Sequence, residues 1–198
     1  MSIDGSLIAR AAMALAVLLL GTVATAPQET TVAAVLSPSE GASSWRLLDA
    51  KEHPVSDQDL KEKPSVLFFG YTHCPDVCPT ALSALSTWIE ALGKDAAKLN
   101  FAFVTVDPER DKPAALAAYL SYFDPRIRGL TGVPDQVATL ARQYGVSYEK
   151  YSIAGGDYSM SHPMTFYLID RNGRKIDSIE VKNTPAEALE KLRRLSRG

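Results

Sequence analysis

An α/β domain with a parallel central sheet is predicted by two continuous apolar runs, Ser65–Tyr71 and Asn100–Val106, each followed by a stretch with helical spacing. Strands that are apolar throughout are covered on both faces, and parallel strands are joined through the helices that supply the cover. The 198 residues, 46% apolar and 22% charged, suffice for one domain with its own core plus an N-terminal extension.

The elements follow in chain order. Residues 1–26 form the extension: after Arg10 the run Ala11–Ala26 carries no charge and ends in Ala24-Thr25-Ala26. It is shorter than the roughly 20 apolar residues of a spanning helix and has the A-x-A form of a signal-peptidase site. It therefore reads either as a membrane anchor or as a signal cleaved after Ala26, and both send the domain out of the cytoplasm. The short charged start and the A-x-A site favour a bacterial periplasm. Residues 27–43 lack periodicity and read as a linker, leaving 44–198 as the folded domain. Trp45–Leu48 and Val55, flanking Lys51-Glu52-His53-Pro54, predict a leading hairpin. The core strand Ser65–Tyr71 is followed by a helix over Pro79–Leu92, with Pro79 at its first position, Leu82, Leu85, Ile89 and Leu92 on one stripe, and Gly93 as its stop. The strand Asn100–Val106 precedes helices over Ala114–Tyr122 and Pro134–Tyr144. Strands over Ser147–Tyr151 and Thr165–Ile169 come next. Arg171-Asn172-Gly173-Arg174 predicts an Asn-Gly hairpin into Lys175–Val181, and Pro185–Leu195 closes the chain as a helix. With a cysteine pair at its first strand-to-helix junction, this order resembles the thioredoxin fold.

The two cysteines, Cys74 and Cys78, are the only ones in the chain. Paired sulfurs beside a helix N-terminus point to thiolate chemistry, either redox or metal capture, and the helix terminus is expected to favour a thiolate at Cys78. A structural disulfide is the plainer reading in an exported protein, but so short a loop would stabilise little. Of three histidines, His53 reads as a solvated turn residue and His73 as a packed group beside the site. His162 precedes the strand Thr165–Ile169, at the end of the domain where a thioredoxin fold brings a loop against its cysteines. Taken alone it is an ordinary histidine or a third donor. Two thiolates and an imidazole would make a soft set suited to copper, Cu(I) above all. Met160 and Met164 alternate with His162 and are either auxiliary thioether contacts or core filler. The Pro-x-x-x-Thr-x-x-Cys of peroxiredoxins fails at Leu67 and Tyr71, the cysteine spacing is one longer than Cys-x-x-Cys, no Cys-x-x-Cys-His occurs, and no fourth strong ligand for zinc is evident. The net charge of −2, without a basic tract, gives no sign of a nucleic-acid partner.

Four blocks in order then resemble the Sco/SenC family of copper-binding proteins: Phe69–Pro79, Val106-Asp107-Pro108-Glu109-Arg110-Asp111, Gly129-Leu130-Thr131-Gly132, and His162 followed by Tyr167-Leu168-Ile169-Asp170. The resemblance implies a membrane-tethered, thioredoxin-like metallochaperone, not a turnover enzyme, that helps assemble the dinuclear copper centre of cytochrome c oxidase. It implies Cys74, Cys78 and His162 as copper ligands and Asp107 as a charge-tuning or partner-facing group near them. The implied recipient is subunit II of the oxidase, and other periplasmic copper carriers are expected donors. A thiol–disulfide oxidoreductase acting on the recipient's cysteines through Cys74 and Cys78 is the alternative, and a redox or copper sensor a weaker third. The chain departs from the family at Pro163, which holds His162 extended, and at Glu52, where the family's Asp-x-x-Gly turn has glycine.

Overall fold

The computed structural model describes residues 44–198, so the expected anchor (1–26) and linker (27–43) lie outside the described residues. Among the described residues there are nine strands and five α-helices. The alternation is broadly the predicted one, but the strand β5 (Ile127–Thr131) and the short helix α1 (Asp57–Lys61) carry no sequence signal that predicts them. The seven-stranded main sheet has the order β2-β1-β5-β4-β3-β8-β9, and β6 and β7 form a separate two-stranded sheet. At the centre, β3 (Ser65–Gly70), β4 (Asn100–Thr105) and β5 (Ile127–Thr131) run parallel. Every residue of β3 is buried, as its unbroken apolar run requires. β8 (Thr165–Ile169) and β9 (Lys175–Glu180) add the antiparallel edge beside β3.

Register fixes the core. Phe68 pairs with Phe103 on β4 and with Phe166 on β8, so the three rings share one face. Trp88 of α2 (Val77–Leu92) meets Phe166 edge-on at 5.1 Å between centroids, and Tyr119 of α3 (Pro113–Leu120) meets Phe103 at 5.8 Å. On the same face Gly129, opposite Phe103, leaves the space that Leu116 and Leu120 of α3 fill: a Cβ there would lie 2.6 Å from Leu120. α5 (Pro185–Leu195) packs on α2, and α4 (Pro134–Gln143) lies against β1 (Arg46–Asp49). Helix starts follow the sequence signals. Proline occupies the first turn of α3, α4 and α5, and Thr184 with Glu187 closes a capping box at α5. Among the described residues no helix is long and apolar enough to cross a membrane.

Several expectations shift. α2 begins at Val77, two residues before Pro79, which still falls in the first turn, where its missing N–H is not needed. β6 (Glu149–Ser152) starts two residues after its predicted position and pairs with β7 (Tyr158–Ser161), a strand whose polar residues gave no signal. The Asn172-Gly173 turn is not a two-residue hairpin. Only Gly173 has positive φ (75°), and Asp170 N donates to Arg174 O at 2.9 Å, making a three-residue loop with glycine in the left-handed position.

The leading hairpin of β1 and β2 (Pro54–Ser56) turns around Asp49, whose Oδ1 accepts from Lys51 N (2.8 Å) and His53 N (2.9 Å). Glu52, at the place of the expected glycine, has φ of 65°, alone among the described non-glycine residues in being positive. A left-handed side chain costs about 1–2 kcal/mol, part of which glycine gives back as unfolded-state entropy. Glu52→Gly is therefore expected to raise stability by about 0.5–1 kcal/mol. Urea unfolding should show this as a higher midpoint at constant slope; an unchanged midpoint would mean that the turn is not strained.

Candidate metal centre

The site forms at the carboxyl ends of the parallel strands, where chains leave the sheet and open sites collect. After Gly70 the loop Tyr71-Thr72-His73 leads to Cys74, whose N–H donates to Tyr71 O at 3.3 Å. The loop is pinned from beneath by Asp111, which is fully buried. Its carboxyl group accepts from Thr72 N (2.9 Å), Thr72 Oγ1 (2.6 Å) and Thr105 Oγ1 (2.7 Å), and its carbonyl accepts from Thr131 Oγ1 (2.7 Å). One residue thus ties the cysteine loop to both β4 and β5.

Cys78 lies in the first turn of α2, and its free backbone N–H donates to Cys74 Sγ at 3.4 Å. Its own sulfur is fully buried over the end of β3. A Cβ on Gly70 would lie 2.8 Å from Cys78 Sγ and 2.7 Å from the Phe103 ring, so only glycine leaves the sulfur this seat. His162 arrives from the other side, between β7 and β8, with Nε2 at 3.4 Å from Cys78 Sγ. Its Nδ1 lies 3.1 Å from Pro163 O. A carbonyl can only accept, so any hydrogen bond in that contact is donated by Nδ1, and Nε2 is the ring atom turned toward the sulfurs. Phe68 and Tyr71 hold the imidazole edge-on at 6.1 and 5.8 Å between centroids.

The donor atoms of Cys74, Cys78 and His162 lie within 4.8 Å of one another, the only such cluster of His, Cys, Asp and Glu donors among the described residues. Both cysteines are free thiols, so no structural disulfide is present. They are not equivalent. The hydrogen bond from Cys78 chiefly, opposed by burial and aided by His162 and the backbone N–H groups of Cys78 and Asp76, lowers the Cys74 pKa to about 3. The same shared proton, followed by burial, pushes Cys78 far up. The structure therefore favours the thiolate on Cys74 rather than at Cys78 as expected, chiefly through the hydrogen bond from Cys78 and less through the N–H groups at the start of α2. Cys74 also lines the open groove, with Tyr71, Tyr151, Met160, His162 and Met164. Cys78 does not line the groove and is fully buried.

The remaining sequence candidates divide. Met160 is buried and Met164 is exposed at the groove mouth. Asp107 is 3% exposed and so does not face a partner. Its carboxylate instead takes the Tyr158 hydroxyl at 2.9 Å and the Arg110 guanidinium. His73 is a surface residue rather than a packed one, 55% exposed and 3.9 Å from Asp111, while His53 is exposed as expected. The roles of Thr72, Asp111, Arg110 and Tyr158 escaped the sequence reading, although Asp111 and Arg110 stand inside a noted block. Their partners are distant in sequence, and only the topology reveals them.

The fold and site define a thioredoxin-like α/β protein that presents two inequivalent thiols and an imidazole at the carboxyl edge of its sheet, a soft donor set spaced for one shared ion. The SCO1/SenC family model matches residues 34–197. The yeast (Saccharomyces cerevisiae) mitochondrial protein SCO2 is 40% identical over 152 residues, covering 75% of this chain and 50% of the relative. An SCO2-like protein of Rickettsia conorii is 35% identical over 153 residues, covering 75% and 74%. The chain thus spans half the length of the yeast relative. Among solved structures, Bradyrhizobium japonicum ScoI with copper bound is 47% identical, with a TM-score of 0.71 over 76% of this chain and 96% of that one. Yeast Sco1 with copper bound is 33% identical, with a TM-score of 0.71 over 78% and 87%. The chain belongs to the SCO1/SenC family.

Two outcomes follow from the geometry. In the reduced, metal-free protein Cys74 should react with iodoacetamide at a rate that varies less than about threefold from pH 5 to 8, because it is already ionised at the lower pH; an ordinary thiol near 8.5 would gain several hundredfold. Peptide mapping that found Cys78 modified first would contradict the assignment. Asp111→Ala should cost about 3 kcal/mol of unfolding free energy, since three donors lose their acceptor in or beside the core. Urea unfolding measures it, and a loss under 1 kcal/mol would show that water replaces the carboxyl group.

Proposed function

We propose that this chain is a copper carrier, with Cys74, Cys78 and His162 holding Cu(I) as cargo and passing it to the dinuclear copper site of cytochrome c oxidase subunit II. The observation that carries the reading is the convergence of two sulfurs and one imidazole within 4.8 Å. Membership in a family with copper-bound members such as B. japonicum ScoI supports it. Soft thiolates with imidazole suit Cu(I), and they must be reduced to bind, so loading is coupled to thiol redox state.

The inequality of the sulfurs gives the exchange an order. Cys74 is 9% exposed and lines the groove beside His162, whereas Cys78 is fully buried, so an incoming ion meets Cys74 first, and Cys78 gives up its proton as it binds. Release reverses this. A partner's soft ligand enters through the groove, displaces the exposed donors, and takes the ion from Cys78 last. We place the domain on the periplasmic side of the bacterial inner membrane, tethered through residues 1–26 or released by cleavage after Ala26, with another periplasmic copper carrier as donor.

The groove-lining Cys74 beside the buried Cys78 thiol also fits a thiol–disulfide oxidoreductase. In that reading Cys74 attacks a partner disulfide and expels one partner thiolate. Cys78, giving up its proton, then attacks the mixed disulfide, leaving a Cys74–Cys78 disulfide and a reduced partner. That chemistry has no use for His162. The deciding measurement is anaerobic Cu(I) competition titration of the reduced full-length chain beside His162→Ala. One copper per chain, weakened at least about 100-fold by the substitution, is expected, a loss above the usual effect of an outer-shell change. Equal affinities would remove His162 from the site and leave the oxidoreductase reading standing.

A further inference from the structure

His162 is held by its ring from the main sheet, but its backbone belongs to something else. It follows directly on β7, and the β6–β7 hairpin shares no strand pairing with the main sheet. All four residues of β6 are exposed, and its loop turns through Gly155 and Gly156, both at positive φ. So thin a ribbon needs anchoring from outside.

Most of its polar anchors lead to one turn, the Asp107–Arg110 segment after β4. Arg110 Cζ lies 3.7 Å from the centroid of the Tyr158 ring and Lys150 Nζ lies 3.8 Å from it. The Tyr158 hydroxyl donates to Asp107 Oδ1 at 2.9 Å, while Arg110 Nε donates to Asp107 Oδ2. Arg110 Nη1 reaches back to Tyr158 O (3.2 Å) and Asp157 Oδ1 (3.3 Å). Outside this turn, Tyr71 Oη and Ser159 Oγ are 2.8 Å apart. The Lys150–Glu109 pair at 2.6 Å is exposed on both sides and contributes little. The Asp107–Arg110–Tyr158 unit is different, because Asp107 is 3% exposed and the Arg110 side chain 18%. Arg110 Nη2 is buried without a hydrogen-bond partner. Burial, then the bond to Asp107, push the Tyr158 phenol up to about 12, so the hydroxyl keeps the proton it donates.

We propose that Tyr158, clamped by Asp107 and Arg110, is a positioning residue of the metal centre: it fixes the hairpin that carries His162 and so sets how firmly the imidazole meets the two sulfurs. The inference rests on the reading of Cys74, Cys78 and His162 as the copper site. Without the hydroxyl the ring still packs under the two cations, but the hairpin loses its buried tie. The imidazole then spends more time away from Cys78, and the sulfurs hold the ion alone.

The test is a double-mutant cycle on the reduced full-length chain, with Cu(I) alone as ligand in anaerobic competition against a chelator. Tyr158→Phe is expected to weaken Cu(I) binding about tenfold, as changes to an outer-shell partner do, and to have no effect on affinity in a His162→Ala background. A general loss of structure would weaken both backgrounds alike, and that outcome overturns the proposal, as does an unchanged affinity for Tyr158→Phe alone. Arg110→Met, which keeps an apolar stem but no donors, should repeat the pattern; an effect that persists without His162 would again count against the clamp. If His162→Ala itself leaves affinity unchanged, the three-donor reading fails and the clamp with it. If His162→Ala weakens binding and Tyr158→Phe does not, only the clamp fails.

Discussion

The buried carboxyl group of Asp111 organises this protein's working end. A polar group removed from water needs its hydrogen bonds made, and Asp111 makes them with Thr72, Thr105 and, through its carbonyl, Thr131. Those partners come from the cysteine loop, β4 and β5. Four residues earlier in the same turn Asp107 takes the Tyr158 hydroxyl from the hairpin that leads to His162. One short turn at the carboxyl end of a central strand therefore serves as the reference for both halves of the site. The parallel register of β3, β4 and β5 makes this possible, since it brings three strand ends and their outgoing loops to one edge.

Chemical asymmetry follows from placement. Two chemically identical side chains, four residues apart, differ because one lies at the groove beneath the start of a helix and the other beneath the surface against aromatic rings. The proton that Cys78 shares, and after it the N–H groups at the helix start, hold the first below the ordinary thiol range, while the same shared proton and then burial push the second up. Capturing a cation then requires the loss of one proton rather than two. The same arrangement suits an attacking and a resolving thiol, so the third donor, and not the cysteines, separates a carrier from a reductant of disulfides.

Two of the three central strands were legible because burial on both faces leaves an unbroken apolar run, as in Ser65–Gly70, whereas β5 (Ile127–Thr131), interrupted by Arg128 and Gly129, was not. The helices were legible from proline at their starts and glycine at the end of α2. The cysteine pair advertised itself by its spacing. What stayed hidden was either polar or distant. β7 is Tyr158-Ser159-Met160-Ser161, a strand with one buried residue, and no hydrophobic period marks it. The Asn172-Gly173 turn was misjudged by one residue because loop length depends on the partner strand. The location of the thiolate was hidden because it depends chiefly on the proton Cys78 shares with Cys74, a side-chain contact that spacing does not reveal. Asp107 and Asp111 were visible as a motif, yet nothing local says that one is tied to a hairpin some fifty residues on and the other to Thr72.

The bare backbone at Gly70 has a wider meaning. Because a hydrogen stands where other residues carry carbon, the Cys78 sulfur rests directly on the strand, level with the aromatic layer instead of above it. The inner donor is thereby recessed by about the thickness of one methyl group, and whatever enters the groove meets Cys74 before it can reach Cys78.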